Sequence, residues 1–366
     1  MQKLIKILNE LVCFQTDGNR DNHQKCLAYI QDYIKAECSQ SVVEHIPTKG
    51  LDNLIIGLNV ENLHNVKKGL MLCGHLDVVS GRSEQFLPVQ KDGKIYGRGT
   101  TDMKGAIACF LSLVPYFKEL DMPVILCLTS DEETDIMGIR DVCDFLKNNS
   151  IRPQLTILGE PTENKLGIRS SGIEGYKTIV TGVSAHSSVP TQGVSAIFVA
   201  AHILQQMEQV AKNMLPKELY LNIGHVIGGE NLTKIPDNAE IDWGFRYMHK
   251  NDAEEVMQEY HKIVAEVLAQ YPRSNIQTTQ TEAFLEFTAF DKKMTEELCR
   301  LLHIEAIKLA YTSEAGYLSE NGQNVFLFGP STIKLAHTDN EYVILDDLNT
   351  YRTQLMNLAK YISVKK

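Results

Sequence analysis

Long apolar runs are missing from this sequence of 366 residues. The longest uninterrupted apolar stretches, such as residues 124–128, are only a handful of residues long, whereas a transmembrane helix needs about 20. The sequence therefore predicts no membrane span and no membrane partner. Apolar residues in 1–14 recur with the period of an amphipathic helix. Asn9 and Glu10 interrupt the apolar stretch that a signal peptide would need. We expect a cytoplasmic protein.

An excess of basic charge is also missing. The chain has 36 Lys and Arg residues against 46 Asp and Glu residues, a net charge of −10. Nucleic-acid-binding surfaces depend on basic charge, so nucleic acid is not an expected partner. Apolar residues make up 43% and charged residues 22% of the chain, which is ordinary for a globular protein and excludes a disordered one.

The cysteine pattern lacks any Cys-x-x-Cys pair. Eight cysteines are scattered along the chain, and most of them have an apolar neighbour. This pattern predicts buried, reduced thiols rather than structural disulfides.

Helix-like and strand-like periodicities alternate over the first 170 residues, as in an α/β protein with a mostly parallel sheet covered by helices. Helices are predicted at 22–38, 105–120 and 139–148, and strands at 53–58, 70–76, 124–129 and 155–158.

The pattern changes after Gly172. Two βαβ-like passes predict a separate α+β unit, with strands at 176–182, 220–227 and 240–246 and helices at 194–210 and 253–270. A helix at 292–302, a strand at 324–328 and a helix at 345–362 would then complete the first domain. We therefore predict one domain from residues 1–171 and 281–366, with residues 172–280 inserted into it.

Side chains suited to metal binding follow several predicted strands. His75 and Asp77 end strand 70–76 two residues apart, so they project to the same side, and a carboxylate can fix the tautomer of a metal-binding histidine. Asp102 lies in a glycine-rich loop before the helix at 105–120.

More such side chains follow the later strands. They are Asp131, Glu132 and Glu133 after strand 124–129, Glu160 after strand 155–158, and His337 after strand 324–328. Ligand sites in α/β sheets lie at the carboxyl ends of strands. A two-metal site requires histidines, a bridging carboxylate and a further carboxylate that activates water.

Each motif also has an ordinary structural explanation. His75 could be a histidine at a strand end that is hydrogen-bonded to a neighbouring residue. Asp102 could be a helix cap, and the acidic run at 131–133 could be a solvent-exposed turn. The prediction of a metal site rests on their combination.

Five segments match, in order and spacing, the co-catalytic zinc hydrolases of the M20 metallopeptidase family, which the sequence resembles over nearly its whole length. They are Gly74-His75-Leu76-Asp77, Gly97-Arg98-Gly99-x-x-Asp102-Met103-Lys104-Gly105, Asp131-Glu132-Glu133, Gly159-Glu160-Pro161 and Ala336-His337. The resemblance implies a zinc-peptidase-like catalytic domain from residues 1–171 and 281–366. It also implies that residues 172–280 form an α+β dimerisation or lid domain, and hence that the protein is a homodimer.

The resemblance further implies two Zn²⁺ ions, for which Co²⁺ can substitute. His75, Asp102 and Glu160 would hold one ion, and Asp102, Glu133 and His337 would hold the other, with Asp102 bridging. Glu132 would be the general base and proton shuttle for a water that attacks an amide carbonyl, and Asp77 would orient His75.

Three residues of the predicted inserted domain also resemble family positions. His186 matches a histidine that reaches into the partner subunit's site as an oxyanion donor, and a capping or surface histidine is the alternative. Arg246 matches an arginine that binds the substrate α-carboxylate, and a solvent salt bridge is the alternative. The family's Gly-Gly-x-x-x-Asn-x-x-Pro string has Thr233 at the asparagine position, so Asn231 is the candidate substitute.

Glu160, instead of an aspartate, is similar to the deacylase and carboxypeptidase branches, which implies an N-acyl amino acid as substrate. Longer strings resemble N-acetylornithine deacetylases and imply hydrolysis of N2-acetyl-L-ornithine in arginine biosynthesis. They are 131–134, 159–162, 186–188, 221–225, 312–315 and 328–331. Hydrolysis of N-acetylcitrulline or N-succinyl-diaminopimelate is the alternative within the class, and a non-catalytic binding module is the alternative outside it. Residues 80–91 lack the tryptophan and Asp-Pro-Phe of many relatives, so the pocket rim is expected to differ.

Overall fold

The computed structural model describes residues 1–49 and 51–365 and divides the chain into two compact units. Unit 1 comprises Met1–Arg169, Thr288–Leu309 and Ser313–Lys366, and unit 2 comprises Ser170–Phe287 and Ala310–Thr312. The segment that leaves unit 1 therefore starts two residues before the predicted boundary at 171/172 and ends seven residues after the one at 280/281. The short segment Ala310–Thr312 was not predicted.

Helices and strands alternate along most of the chain. The α-helices in the described ranges are α1 (Gln2–Cys13), α2 (Arg20–Glu37), α3 (Lys104–Ser112), α4 (Val114–Phe117), α5 (Met137–Asn148), α6 (Ala196–Met214), α7 (Lys250–Gln270), α8 (Lys292–Leu302), α9 (Ala315–Glu320) and α10 (Leu345–Val364). The strands are β1 (Val42–Thr48), β2 (Leu51–Leu58), β3 (Leu70–His75), β4 (Val89–Lys91), β5 (Lys94–Tyr96), β6 (Val124–Thr129), β7 (Leu155–Leu158), β8 (Leu166–Ser170), β9 (Gly172–Thr181), β10 (Ala185–His186), β11 (Tyr220–Gly228), β12 (Lys234–Ile235), β13 (Asn238–Tyr247), β14 (Asn275–Phe284), β15 (Phe287–Thr288), β16 (Ala306–Leu309), β17 (Val325–Leu327) and β18 (Tyr342–Ile344).

The central sheet of unit 1 has the strand order β1-β2-β6-β3-β7-β17-β8-β15, with β16 also paired to β8. Its four middle strands, β6, β3, β7 and β17, run parallel, and antiparallel pairs flank them on both sides. This arrangement confirms the predicted α/β class with a mostly parallel sheet. A small antiparallel sheet, β18-β5-β4, lies in the same unit.

The middle strands consist almost entirely of apolar residues because both faces of the sheet are covered. Every residue of β3, β6 and β7 is buried. The helix α3 is also buried along its whole length, and α1 packs its apolar face (Leu4, Leu8, Leu11) into the same core. None of the described helices is long and apolar enough to cross a membrane. All eight cysteines are free, and five are buried.

The predicted helix at 105–120 is divided in the structure. Helix α3 ends at Ser112, and a single turn, α4, follows. Pro115 lies in that turn and has no backbone N–H to continue the hydrogen-bond ladder of α3. The strands β1 and β14 were not predicted because most of their residues remain partly or fully exposed, so neither has an apolar run.

Unit 2 contains a four-stranded antiparallel sheet of order β11-β13-β9-β14, with α6 and α7 packed on one face. In both β9-α6-β11 and β13-α7-β14 another strand lies between the two connected strands, which is the split βαβ arrangement. The core on the helix side contains Trp243, whose ring stacks on Tyr176 at 4.8 Å and whose indole N–H donates to Thr178. The other face of the sheet is largely exposed.

Candidate metal centre

The predicted site residues of unit 1 meet at the carboxyl edge of the central sheet. Strand β3 ends at His75, which pairs with Thr129 at the end of β6, and Cys73 pairs with Leu158 at the end of β7. The loops that follow these strands therefore begin side by side, as expected for a ligand site of an α/β sheet.

Two of the three groups of possible ligand atoms at this edge share Asp102. Ligand atoms of His75, Asp102 and Glu160 lie within 4.8 Å of one another, and so do those of Asp102, Glu133 and His337. Asp102 belongs to both groups. Its Oδ1 lies 3.1 Å from Nε2 of His75, and its Oδ2 lies 3.5 Å from Nε2 of His337. Each carboxylate oxygen thus faces a different histidine, which is the geometry of a bridging ligand.

The backbone of Asp77 fixes the ring of His75. Nδ1 of His75 lies 2.9 Å from the carbonyl oxygen of Asp77, and the Asp77 carboxylate is farther away, at 3.7 Å. A carbonyl only accepts, so Nδ1 carries the proton and Nε2 keeps its lone pair for a metal. The Asp77 carboxylate instead accepts the backbone N–H of Glu133 at 2.9 Å. Asp77 therefore positions both His75 and the acidic loop.

The acidic loop is anchored by its first carboxylate. Asp131 has a φ of 72° and accepts hydrogen bonds from the hydroxyl of Thr134 and the backbone N–H groups of Asp135 and Met137. Asp131 therefore stabilises the turn through its side chain. Glu132 has no hydrogen bond within the described ranges, and its ligand atom lies within 4.8 Å of those of His75 and Glu133.

Sequence reasoning missed Glu341, which holds the loop of Asp102. Its Oε1 accepts the backbone N–H of Thr101 at 2.9 Å and that of Asp102 at 3.2 Å, and its Oε2 accepts Nη1 of Arg98 at 2.8 Å. Glu341 and Arg98 are both buried. In the sequence, Glu341 stands out only because it follows His337 by four residues. That spacing does not predict a hydrogen bond to the backbone of Asp102.

The carboxylates and histidines shift one another's ionisation. Burial raises the pKa of Glu132 and Glu160 well above the ordinary value, and neighbouring carboxylates raise both further. Burial alone would lower the pKa of His75, but Asp102 and other carboxylates raise it well above its usual range. Burial would raise the pKa of Asp102, but hydrogen bonds from His337 and His75 lower it. Hydrogen bonds to Asp102 and Glu133 raise the pKa of His337 to about 10.

This donor set fits divalent metal ions. Two imidazoles and several carboxylates supply the nitrogen and oxygen ligands that zinc uses in catalytic sites. Oε1 of Glu160 and Oδ1 of Asp77 are buried without a hydrogen-bond partner in the described part of the chain. Buried polar atoms without partners are rare in native proteins, and a cation beside Glu160 would compensate its charge.

The predicted site residues of unit 2 (His186, Asn231 and Arg246) lie on its surface. Arg246 is exposed and donates from Nη1 to the hydroxyl of Thr312 at 2.9 Å. No carboxylate pairs with Arg246 within residues 1–49 and 51–365.

In unit 2, His186 lies in a two-stranded sheet where it pairs with Lys234 of β12, and Asn231 lies in the loop just before β12. Nδ1 of His186 accepts the backbone N–H of Ser188 at 3.2 Å, so the neutral ring carries its proton on Nε2. Oδ1 of Asn231 accepts both the N–H and the hydroxyl of Thr233 at 3.0 Å. Only the amide NH₂ of Asn231 is therefore left for a ligand.

Comparison with known proteins gives this arrangement its context. The sequence model of Peptidase family M20/M25/M40 matches residues 71–360 of this chain. The chain belongs to this family. The M20 resemblance and the M20 peptidase fold predicted from the sequence are thereby confirmed, and enzymes of the M20 family depend on metal ions.

Individual M20 relatives cover nearly the whole chain. An acetylornithine deacetylase of Myxococcus xanthus is 29% identical over 365 residues, which are 93% of this chain and 92% of that protein. The crystal structure of a tripeptidase from Staphylococcus aureus has a TM-score of 0.83 at 21% identity and covers 100% of this chain and 99% of its own. The YXEP protein of Bacillus subtilis, described as a dinuclear metal-binding M20 peptidase, has a TM-score of 0.71 at 13% identity, with 99% and 98% covered.

Glu341→Gln tests how the loop of Asp102 is held. The amide has only one acceptor oxygen, so it loses either Arg98 or the two backbone N–H groups. We expect the fold to persist and the affinity for zinc to fall by about 10- to 100-fold, as for other groups that orient metal ligands. Competition with a chromogenic chelator measures the affinity. Asp339→Asn, an exposed charge in the same loop, is the matched control. An unchanged zinc affinity of Glu341→Gln would contradict the positioning role.

Proposed function

We propose that this chain hydrolyses the N-acyl amide of N-acyl-L-amino acids and converts N2-acetyl-L-ornithine to L-ornithine and acetate, as a step of arginine biosynthesis in the cytoplasm. The observation that carries the proposal is the carboxylate of Asp102 between two histidines, with the unpaired carboxylate of Glu132 beside them. The acetylornithine deacetylase of Myxococcus xanthus, matched over 92% of its length, supports the choice of substrate.

In this proposal His75, Asp102 and Glu160 would hold one zinc ion. Asp102, Glu133 and His337 would hold a second. When bound, such ions polarise an amide carbonyl and lower the pKa of water. The proposal is supported by the two overlapping ligand groups and by the unpartnered oxygen of Glu160.

Glu132 is the proposed general base. Its carboxylate has no hydrogen bond within the described ranges, so it is available to accept a proton from the attacking water. As that water adds to the acyl carbon, the proton passes to Glu132 and then to the nitrogen that leaves when the C–N bond breaks. The products are the free carboxylate of the acyl group and the amino group of the amino acid.

Residues of unit 2 are proposed to recognise the substrate and its developing charge. Arg246 would bind the α-carboxylate, because a guanidinium that has no carboxylate partner among the described residues suits bidentate binding. His186 would donate from Nε2 to the oxyanion in the partner subunit's site, because Ser188 already occupies its Nδ1.

A homodimer is proposed to form through unit 2. The strand β11 is an edge of the four-stranded sheet and exposes Val226 and Ile227, and Phe198 of α6 is 66% exposed. An apolar edge strand is a ready template for pairing with a second copy of the chain.

A substrate panel tests the reaction. Zinc- or cobalt-loaded protein is given N-acetylornithine, N-acetylcitrulline, N-acetylmethionine, N-succinyl-diaminopimelate and a tripeptide, each with a chelator control, and amine release is measured. We expect chelator-sensitive hydrolysis with the highest kcat/KM for N-acetylornithine. Preference for another N-acyl amino acid would change the substrate and keep the reaction class. Preference for the tripeptide would replace the deacylase by a peptidase, and two bound metals without any hydrolysis would support a binding module.

Glu132→Gln tests the general base. The amide cannot accept a proton, so kcat should fall by at least about 100-fold. Metal content, measured by mass spectrometry, should stay at two ions per chain because Glu132 is not a proposed ligand. Glu296→Gln removes an exposed charge from α8 and should change neither quantity. Loss of metal together with activity would show that Glu132 is a ligand.

Subunit mixing tests the position of His186. His186→Ala and Glu132→Gln proteins should each be nearly inactive, because every site in either homodimer lacks one group. In a mixed dimer one site would have both groups, so random exchange should restore roughly a quarter of the wild-type rate. Analytical ultracentrifugation checks that dimers form. No recovery after exchange would contradict a role for His186 in the partner's site.

A further inference from the structure

Unit 2 has a hollow of about 570 Å³ on the face of its sheet opposite α6 and α7. Gly244 of β13 and Gly175 of β9 form its floor, where they lie opposite each other in register. Trp243 and Phe245, the neighbours of Gly244 in sequence, point to the helix side and are buried. Two facing glycines leave the open face without side chains at this place.

Side chains on the flanking strands form the walls of the hollow. Asn222 of β11 lies opposite Gly244, and Glu282 of β14 lies opposite Gly175. The carboxyl carbon of Glu282 is 3.5 Å from the position that a Cβ of Gly175 would occupy. The carboxylate of Glu282 therefore extends over the glycine floor.

Of the carboxylates that line the hollow, Glu282 is the one without a partner. Glu174 accepts a hydrogen bond from the hydroxyl of Tyr176. Asp242 lies 3.0 Å from Nζ of Lys177. In the described part of the chain no hydrogen bond or ion pair engages the carboxylate of Glu282.

The only guanidinium in the hollow is that of Arg246, which also lacks an ionic partner within the described residues. Arg246 is opposite Ile173, and Glu282 is opposite Gly175, so both belong to the open face. Their backbones are separated by two strand spacings, ~10 Å, and by two residues along the strands, ~7 Å. Both side chains are long, and no ion pair joins them. Two opposite charges thus line one hollow without neutralising each other.

We propose that Arg246 and Glu282 form a subsite for an amino acid with a cationic side chain, with its α-carboxylate on Arg246 and its side-chain ammonium on Glu282. This inference rests on the proposed function and specifies its substrate class. In an N-acyl amino acid the α-nitrogen is an uncharged amide, so the only cation that Glu282 can bind is on the side chain. The subsite therefore favours N-acyl diamino acids over neutral amino acids of the same length.

Glu282→Gln tests the subsite with a matched pair of substrates. N-acetylornithine has a cationic amine, and N-acetylcitrulline has a neutral ureido group on the same carbon chain. The substitution preserves the size of the side chain and removes its charge. We expect kcat/KM for N-acetylornithine to fall about 10-fold, mainly through KM, because a hydrogen bond to a charged group is lost. The value for N-acetylcitrulline should stay unchanged. Glu266→Gln, which removes an exposed charge from α7, should alter neither.

Three outcomes would overturn the subsite. They are no change in either kcat/KM value, an equal loss for both substrates, and a loss confined to a free tripeptide relative to its N-acetylated form. An equal loss would show a structural role, and a loss confined to the free peptide would show that Glu282 binds an α-ammonium group.

A binding measurement separates the subsite from the reaction. Calorimetry with metal-free protein should show tighter binding of N-acetylornithine than of N-acetylcitrulline, and Glu282→Gln should remove that difference. If the wild-type protein hydrolyses no N-acyl amino acid but keeps this preference in binding, the proposed function fails and the subsite stands. Hydrolysis without any such preference would retain the function and overturn the subsite.

Discussion

The carboxylate of Asp102 is the group on which the rest of unit 1 depends. It lies between His75 and His337, and carboxylate oxygens of Glu133 and Glu160 each lie within 4.8 Å of it. Carboxylates held this close repel one another, and burial adds to the cost of their charge. Such a cluster is stable only where the surrounding structure holds it and where positive charge, here including that of His75 and His337, balances it.

The rigid part is the parallel centre of the sheet. Strands β3, β6 and β7 are buried on both faces. The pairing of His75 with Thr129 makes the loops after β3 and β6 begin side by side. Glu341 then ties the loop of Asp102 through two backbone N–H groups. The apolar core thereby stabilises a polar edge that would be unfavourable by itself.

The sequence predicted the residues at strand ends and missed those that act through the backbone. His75 and Glu160 were predictable because an apolar strand followed by a ligand-type side chain is a local pattern, and all such strands end at one edge. Glu341 was not, because it acts on Asp102 across 239 positions of sequence and uses backbone donors common to every residue. The carboxylate of Asp77 was expected to orient His75, whereas the backbone carbonyl does so. The hollow of unit 2 was also missed, because it depends on the register of Gly244 against Gly175 and on the exposed strand β14.

In both units the charged groups that lack partners among the described residues indicate what the protein binds. On the sheet of unit 2, Lys177 pairs with Glu240 and Asp242, and an ordinary solvated surface is made of such pairs. Arg246 and Glu282 differ because they stay apart across a floor that two glycines keep empty. In unit 1 the unpartnered oxygen of Glu160 is buried, where a bound cation would compensate its charge. In unit 2 the unpaired charges are solvated and of both signs, so the complementary ligand is a small molecule with one negative and one positive group.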